Sequence, residues 1–427
     1  MLSRIRNFII SPIHFLVLVL AKAAEFALHK QGLILHVSAS ANTLTNMIPY
    51  IFAGLDVVSR ERIGFAAAVT RDARTDRVAL NQTVNIPVVG VATAAAITPA
   101  NVSPDTGGTS PGNVTVTISN QYQCPVAWSG DEQMVVSEAG LYDSVQAQRF
   151  AQAFRTISNM VESDLAALHI KASRAYGTYN VQPFGTAADL SDMAQMIKIM
   201  EDNGAPTSDL QAVLGTSAMA NIRGKQSVLF KVNEAGTDQL LRRGIIGDIQ
   251  GVSLHTSAQV KTAVTVGTNN GAAQTNADGY AVGATTLTLD TAGTGSILDG
   301  DIVTLAGDTN KYVVLTGDAS VAGGGTIVLA EPGLRQAIPA SVTVITTVAA
   351  TDRNMVFSKS AIVLACRTPY MPKEGDQASD VMDVTDPVSG ITFQIALYKQ
   401  YRQVHAEVGL AWGVKMIAPR HTAILIG

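Results

Sequence analysis

Two hydrophobic periods alternate along this chain. Over 42–64 the apolar residues Ile48, Ile51, Phe52, Leu55 and Val58 recur at helical spacing, Thr43 or Thr45 can cap the segment, and Gly64 offers a stop. The period then drops to two. Val84, Ile86 and Val88 alternate with Asn85 and Pro87, and Val114, Val116 and Ile118 alternate with Thr115 and Thr117. Both runs predict half-buried strands, and Pro87 confines the first to an edge. Residues 89–113 between them are rich in Ala, Gly, Pro and Thr, so the pair reads as a long hairpin with a very long tip. A two-stranded hairpin is marginal alone in water, and no adjacent segment offers it a bed.

The strongest helical pattern lies over 137–174. Phe150, Phe154, Ile157, Val161, Leu165 and Leu168 form one continuous apolar stripe, with Gln148, Arg155, Glu162 and Lys171 off it. A helix this long serves as the backbone of a domain. A second helix is expected over 189–203, with Leu190, Met193, Ile197 and Met200 inward and Asn203-Gly204-Ala205-Pro206 closing it. Residues 209–260 mix the two periods: a strand at 210–214, a helical turn at 217–223 and a strand–turn–strand at 245–254. Over 262–350 Lys and Arg almost vanish. Short strands at 286–289, 302–305, 312–315, 326–329 and 342–345 recur between turn signals such as Asp299-Gly300-Asp301 and Gly323-Gly324-Gly325. This predicts a small all-β unit, a barrel or sandwich. The mixed pattern resumes over 355–365 and 391–426, so the β unit reads as an insertion into a host domain.

Composition sharpens this picture. In 427 residues, 47% are hydrophobic, which excludes wholesale disorder, and only 15% are charged, against about 25% in an ordinary soluble domain. So little charge implies a surface largely covered, by copies of the chain or by a membrane. The net charge is −4; Arg4, Arg6, Lys22 and Lys30 make the first residues basic, and the body carries the acidic excess. Without a long basic run, tight nucleic-acid binding through phosphate neutralisation is excluded. The leader is apolar over 8–20 except Ser11 and His14, is broken by Pro12, and is too short to span a bilayer. It reads as a secretory signal, as residues upstream of a misassigned start, or as an amphipathic helix.

Candidate chemistry is sparse. Gly108-Thr109-Ser110-Pro111-Gly112 fits G-x-S-x-G literally, but a nucleophile elbow needs a backbone N–H after the serine, and Pro111 has none. No phosphate loop and no HExxH occurs. Cys124 and Cys366 stand far apart without a CxxC pattern and read as reduced thiols. His169 has no second ligand three or four residues away. Asp299 and Asp301 lack calcium-loop spacing, and Asp131-Glu132, if in a strand, would point to opposite faces. No catalytic residue, metal or cofactor is expected.

The order of elements is itself informative: N-terminal arm, extended hairpin, spine helix, mixed α/β domain, inserted β-domain, returning β segment. Four stretches carry a resemblance: Ala41-Asn42-Thr43-Leu44-Thr45-Asn46-Met47-Ile48-Pro49, Glu162-Ser163-Asp164-Leu165-Ala166-Ala167-Leu168-His169, Asp202-Asn203-Gly204-Ala205-Pro206 and Phe230-Lys231-Val232-Asn233-Glu234-Ala235-Gly236. With them the chain resembles the major capsid (coat) proteins of tailed bacteriophages with the Hong-Kong-ninety-seven fold, most of all the P-twenty-two-type branch, which carries such an insertion. The resemblance covers about 40–427 and implies an α+β capsid fold. The expected division is a leader at 1–40, a helical arm at 41–77, the hairpin loop at 78–130, the spine and first part of the core at 131–261, the inserted β-domain at 262–350, and the returning β segment at 351–427.

The resemblance further implies a major capsid protein that self-assembles as pentamers and hexamers into an icosahedral shell around phage DNA. Such a virion component is assembled in the bacterial host cytoplasm. A scaffolding protein and a portal are its implied partners, with weak non-specific contact with packaged DNA, no membrane and no catalysed reaction. Val84, Ile86, Val88, Val114, Val116, Ile118 and Asp278 are the candidate subunit-interface residues. One departure concerns the loop that opens the insertion. In the family it reaches a neighbouring capsomer and carries charge, whereas over 267–279 Asp278 is the one ionised side chain here. The residues also leave open an exported Gly/Thr-rich surface or adhesin-like protein with a signal peptide.

Overall fold

A computed structural model describes residues 44–427 apart from 73–76, 89–111, 139–141, 226–246, 262–263, 270, 373–377 and 388. The leader, the hairpin tip with Ser110, and the 230–236 stretch lie outside the described residues.

The spine helix runs Tyr142–Ala167. Its stripe of Phe150, Phe154, Ile157, Val161, Leu165 and Leu168 is buried along its whole length. The helix ends earlier than the period suggests. A 3-10 turn at Leu168–Lys171 follows, then a strand at Arg174–Gly177. That strand pairs in parallel with Thr422–Ile426, so tertiary pairing overrides the local helical pattern. At the other end, Asp131 and Glu132 sit in a separate helix, Gly130–Glu138, rather than in a strand. Ser129 and Glu132 form a capping box: Ser129 N donates to Glu132 Oε2 at 3.1 Å, and Glu132 N donates to Ser129 Oγ at 3.2 Å.

The spine is the wall shared by two layers. On one side lies the helix Leu44–Arg62, with Ile51, Leu55 and Val58 buried in the common core. Phe52, expected inward, is 48% exposed because it falls a quarter-turn off that stripe. On the other side is a six-stranded sheet ordered Thr70–Arg71, Ile362–Arg367, Gln403–Met416, Thr392–Gln400, Ala378–Thr385, with Asn120–Ser129 on the opposite edge of the Gln403–Met416 strand. Phe154 meets Phe393 of this sheet edge-to-face at 5.1 Å.

The second sheet joins host and insertion. Its host part runs Asp248–Ile249, Val252–Thr256, Leu210–Leu214, Arg353–Ser358, Thr422–Ile426, Arg174–Gly177. It continues without a break through Lys311–Thr316, Ile302–Leu305, Val344–Thr347 and Ala273–Gln274 of the insertion. The connecting pairs are Lys311 with Ala175 and Tyr312 with Arg174. The insertion keeps its own apolar cluster, including Leu287, Leu289, Val303, Val314, Ile327, Leu329 and Ile345. The helix Ser191–Asp202 covers the host part with Met193, Met196, Ile199 and Met200. Ile197 and Leu190, expected on that face, are only half-buried.

Three successive polar residues of the spine tie these layers together. Glu162, expected off the stripe, is 1% exposed. Its carboxylate accepts Phe65 N at 2.9 Å, Ala66 N at 2.8 Å and the Ser257 hydroxyl at 2.9 Å. Burial pushes this carboxyl above its ordinary range, and those donors oppose the shift. Ser163 Oγ accepts Lys261 Nζ at 2.7 Å. Asp164 Oδ2 accepts Asn120 Nδ2 at 2.7 Å and Trp412 Nε1 at 2.8 Å.

Glu162→Ala is expected to lower unfolding free energy by roughly 2–4 kcal/mol, because two backbone N–H groups and a hydroxyl lose their acceptor in a dry site. Glu162→Gln, which keeps one acceptor oxygen, should fall between. Urea denaturation followed by circular dichroism reads both; a loss under about 0.5 kcal/mol for the alanine variant would show that Glu162 is not a joint.

Candidate functional site

The hairpin pairs Thr83–Val88 with Gly112–Thr117 in unbroken antiparallel register, Val84 opposite Val116 and Ile86 opposite Val114. The alternation sorts the two faces. Thr83, Asn85, Pro87, Asn113, Thr115 and Thr117 are exposed, and the Val and Ile side chains share the other face.

That apolar face has a bed after all, at its base. Val84, Val116 and Ile118 are 5%, 0% and 0% exposed and cluster with Val78 and with Val363, Ala365 and Ala411 of the chain's own six-stranded sheet. The sheet can come this close because position 413 is glycine. A Cβ there would stand 2.1 Å from Thr117 O. Lys415 Nζ donates to Thr115 O at 2.8 Å, and Ile118 N to Gln82 O at 2.9 Å. The expectation of a hairpin with no intramolecular support therefore fails at the base. The supporting strands come from the far C-terminal part of the chain, which no local pattern points to. Toward the tip the cover thins: Ile86, Val88 and Val114 are only half-buried.

Beside the base, the half-exposed side chains of Leu80, Tyr122 and Tyr370 line a groove of about 400 Å³ with Gln394 and Glu407. Asp278 lies away from the hairpin, in the insertion. It is exposed and accepts a hydrogen bond from Asn276 Nδ2. Asn276 Oδ1 in turn accepts the Tyr280 hydroxyl. The structure thus groups six of the seven expected interface residues on one ribbon face and places Asp278 elsewhere.

The remaining candidate groups are in structural positions. Asp301 is buried in its turn, its carboxylate accepting Leu298 N at 2.7 Å and Gly267 N at 2.9 Å, and Asp299 Oδ1 accepts Gly317 N at 2.7 Å. Both cysteines are free thiols. Burial pushes Cys124 up and Cys366 up to about 12. Among the described residues no group of three or more His, Cys, Asp or Glu side chains could hold a metal ion, and no helix is long and apolar enough to cross a membrane. Three buried arginines escaped the sequence reading, one of them Arg174, which pairs with Asp202 at 3.1 Å. Arg367 pairs with Asp72 where the arm meets the six-stranded sheet, and Arg353 stands at the neck of the insertion. Arg353 stands between Asp352 and Asn354, and Arg367 between Cys366 and Thr368, so no local pattern marks either as buried.

No family model matches the chain, and no curated protein matches it. Solved structures to which it is similar include one from Mycobacterium phage Che8, at 12% identity and TM-score 0.44, covering 84% of this chain and 90% of that one. Another is a capsid structure of the cyanophage P-SCSP1u, at 12% identity and TM-score 0.43, covering 86% and 88%. A third is a virus-like particle from Pyrococcus furiosus, at 6% identity and TM-score 0.39, covering 89% and 99%.

Ile118→Ala should cost about 2–4 kcal/mol of unfolding free energy, since it opens a cavity under the hairpin base. Val88→Asp should leave the midpoint of chemical denaturation nearly unchanged, because Val88 lies outside that cluster. Equal losses for both would mean that the ribbon is supported evenly along its length.

Proposed function

We propose that this chain is the major capsid protein of a tailed bacteriophage or prophage, built on the Hong-Kong-ninety-seven plan and of the P-twenty-two-type branch. It assembles as pentamers and hexamers into an icosahedral shell around phage DNA in the bacterial cytoplasm. A scaffolding protein and a portal take part in assembly.

The observation that carries this reading is the gradient along the hairpin. Its base, with Ile86 packed against it, is sealed to the chain's own sheet, while Val88 and Val114 farther along the same apolar face are only half covered. An apolar ribbon that outruns its own body gains stability when a neighbouring copy lies under it. The low charge supports the same view, because a shell subunit meets neighbours on several edges, each with a different patch. Many modest contacts then hold the particle together. The acidic balance of the body limits adhesion to packaged DNA, and the order of elements along the chain is the one the family resemblance implies.

Purified full-length chain at high concentration should form closed shells by negative-stain electron microscopy. Val88→Asp and Val114→Asp should stay folded yet remain as small oligomers. A wild-type chain that persists as a monomer under all assembly conditions, or aspartate variants that close shells as readily as wild type, would overturn the proposal.

A further inference from the structure

Along each strand of the six-stranded sheet, alternate residues point to opposite faces. Phe393, Ile395 and Leu397 join the core around the spine, and their neighbours Gln394, Ala396 and Tyr398 face the other way, into the groove of about 400 Å³ beside the hairpin base. That volume suits a small ligand. Gln394 lies opposite Gly409, and Gly409 opposite Gln123. Glu407 lies two residues from Gly409 on the same face, diagonal to Gln394, and such diagonal neighbours stand roughly 7–8 Å apart. Gly409 keeps the floor between them open. A Cβ there would already touch Pro369 Cγ at 3.6 Å and Gln394 Oε1 at 3.9 Å, so any side chain would fill it.

The walls are aromatic and held by rigid neighbours. Tyr370 and Tyr122 are 52% and 47% exposed. Tyr370 N donates to Val78 O at 2.9 Å, and the Tyr122 ring stands 5.4 Å from that of Trp412. On the floor, Gln394 is only 8% exposed, yet its Nε2 has no hydrogen-bond partner among the described residues. A buried donor left unpaired is costly. The last torsion of a glutamine side chain is broad, so its amide can turn to meet an acceptor seated over Gly409, and such an acceptor removes that cost.

The lining also sets the ligand's charge and pattern. Among the described residues it holds one ionised side chain, the Glu407 carboxylate, and no cation, so an anion would be repelled. The amides of Gln121, Gln123 and Gln394 both donate and accept, and the carboxylate accepts. The matching ligand is neutral, carries groups that donate and accept at adjacent positions, and has an apolar face for the tyrosines. A pyranose ring has all three: one hydroxyl oxygen accepts from Gln394, the next hydroxyl donates to Glu407, and the C–H face lies on an aromatic ring. An extended peptide fits less well, because its backbone groups alternate between opposite edges.

We propose that this groove is a binding site for a neutral saccharide, with the Gln394 amide and the Glu407 carboxylate holding adjacent hydroxyls and Tyr370 stacking on the sugar ring. It adds recognition of a carbohydrate to the assembly role proposed above and does not depend on it.

Saturation-transfer NMR of the full chain with the methyl glycosides of glucose, galactose, mannose and N-acetylglucosamine tests this. At least one should receive saturation from the protein, and the matching uronic acid should bind at least about tenfold more weakly. Gln394→Leu should weaken binding at least about tenfold while leaving the urea midpoint unchanged or raised, because it removes an unpaired buried donor. Tyr370→Ala, at a half-exposed position, should weaken binding by about as much, and it decides the matter if the leucine variant does not fold. No saturation of any of the four sugars, equal binding of the uronic acid, or unchanged binding in Tyr370→Ala overturns the site. A wild-type chain that binds no sugar but whose copies separate on Tyr370→Ala assigns the groove to a second copy and equally overturns it. The readout involves no shell formation, so the saccharide site and the capsid reading stand or fall separately.

Discussion

The buried carboxylate of Glu162 is the constraint on which the rest of the architecture depends. A carboxylate taken out of water is costly unless every lone pair finds a donor, and here the donors come from the segment after the first helix and from the strand leading into the insertion. Its neighbours in sequence extend the arrangement. Successive residues on a helix point about 100° apart, so Glu162, Ser163 and Asp164 reach three different parts of the molecule. One short stretch of the spine therefore sets the position of the arm, the neck and the six-stranded sheet. The apolar stripe supplies the bulk of the burial, and these polar contacts choose which neighbour packs where.

This division explains what was legible in the sequence. Apolar positions declare themselves by period. The stripe from Phe150 to Leu168 and the alternation at 84–88 and 114–118 all appear in the folded molecule. Polar positions have no period. Glu162 looked like a solvent-facing residue because nothing local says that Phe65, Ala66 and Ser257 will converge on it. Long-range pairing was equally hidden. Strand Arg174–Gly177 follows a helical pattern, and its partners Thr422–Ile426 and Lys311–Thr316 lie far along the chain. The bed of the hairpin was invisible for the same reason: Gly413 reads as an ordinary strand glycine until Thr117 lies across it.

The candidate surface follows from the same contrast between sealed and open ends. Where the hairpin crosses its own sheet, the packing resembles any domain core, with Val116 and Ile118 fully buried. A few residues on, the same face is only half covered while keeping its apolar character. A monomeric protein gains nothing from such a ribbon, whereas a subunit of a larger body does. The free thiols and the Asp299–Asp301 turn are accounted for by packing and backbone hydrogen bonds.

Host and insertion share a ladder, but the ladder between them is only two residue pairs wide, Lys311 with Ala175 and Tyr312 with Arg174. Outside that seam the two modules meet through the chain crossings at Lys261 and Arg353 and through the Gly300 turn against Ile170. With so few shared pairs, the insertion's position relative to the host depends as much on those turn contacts as on the ladder.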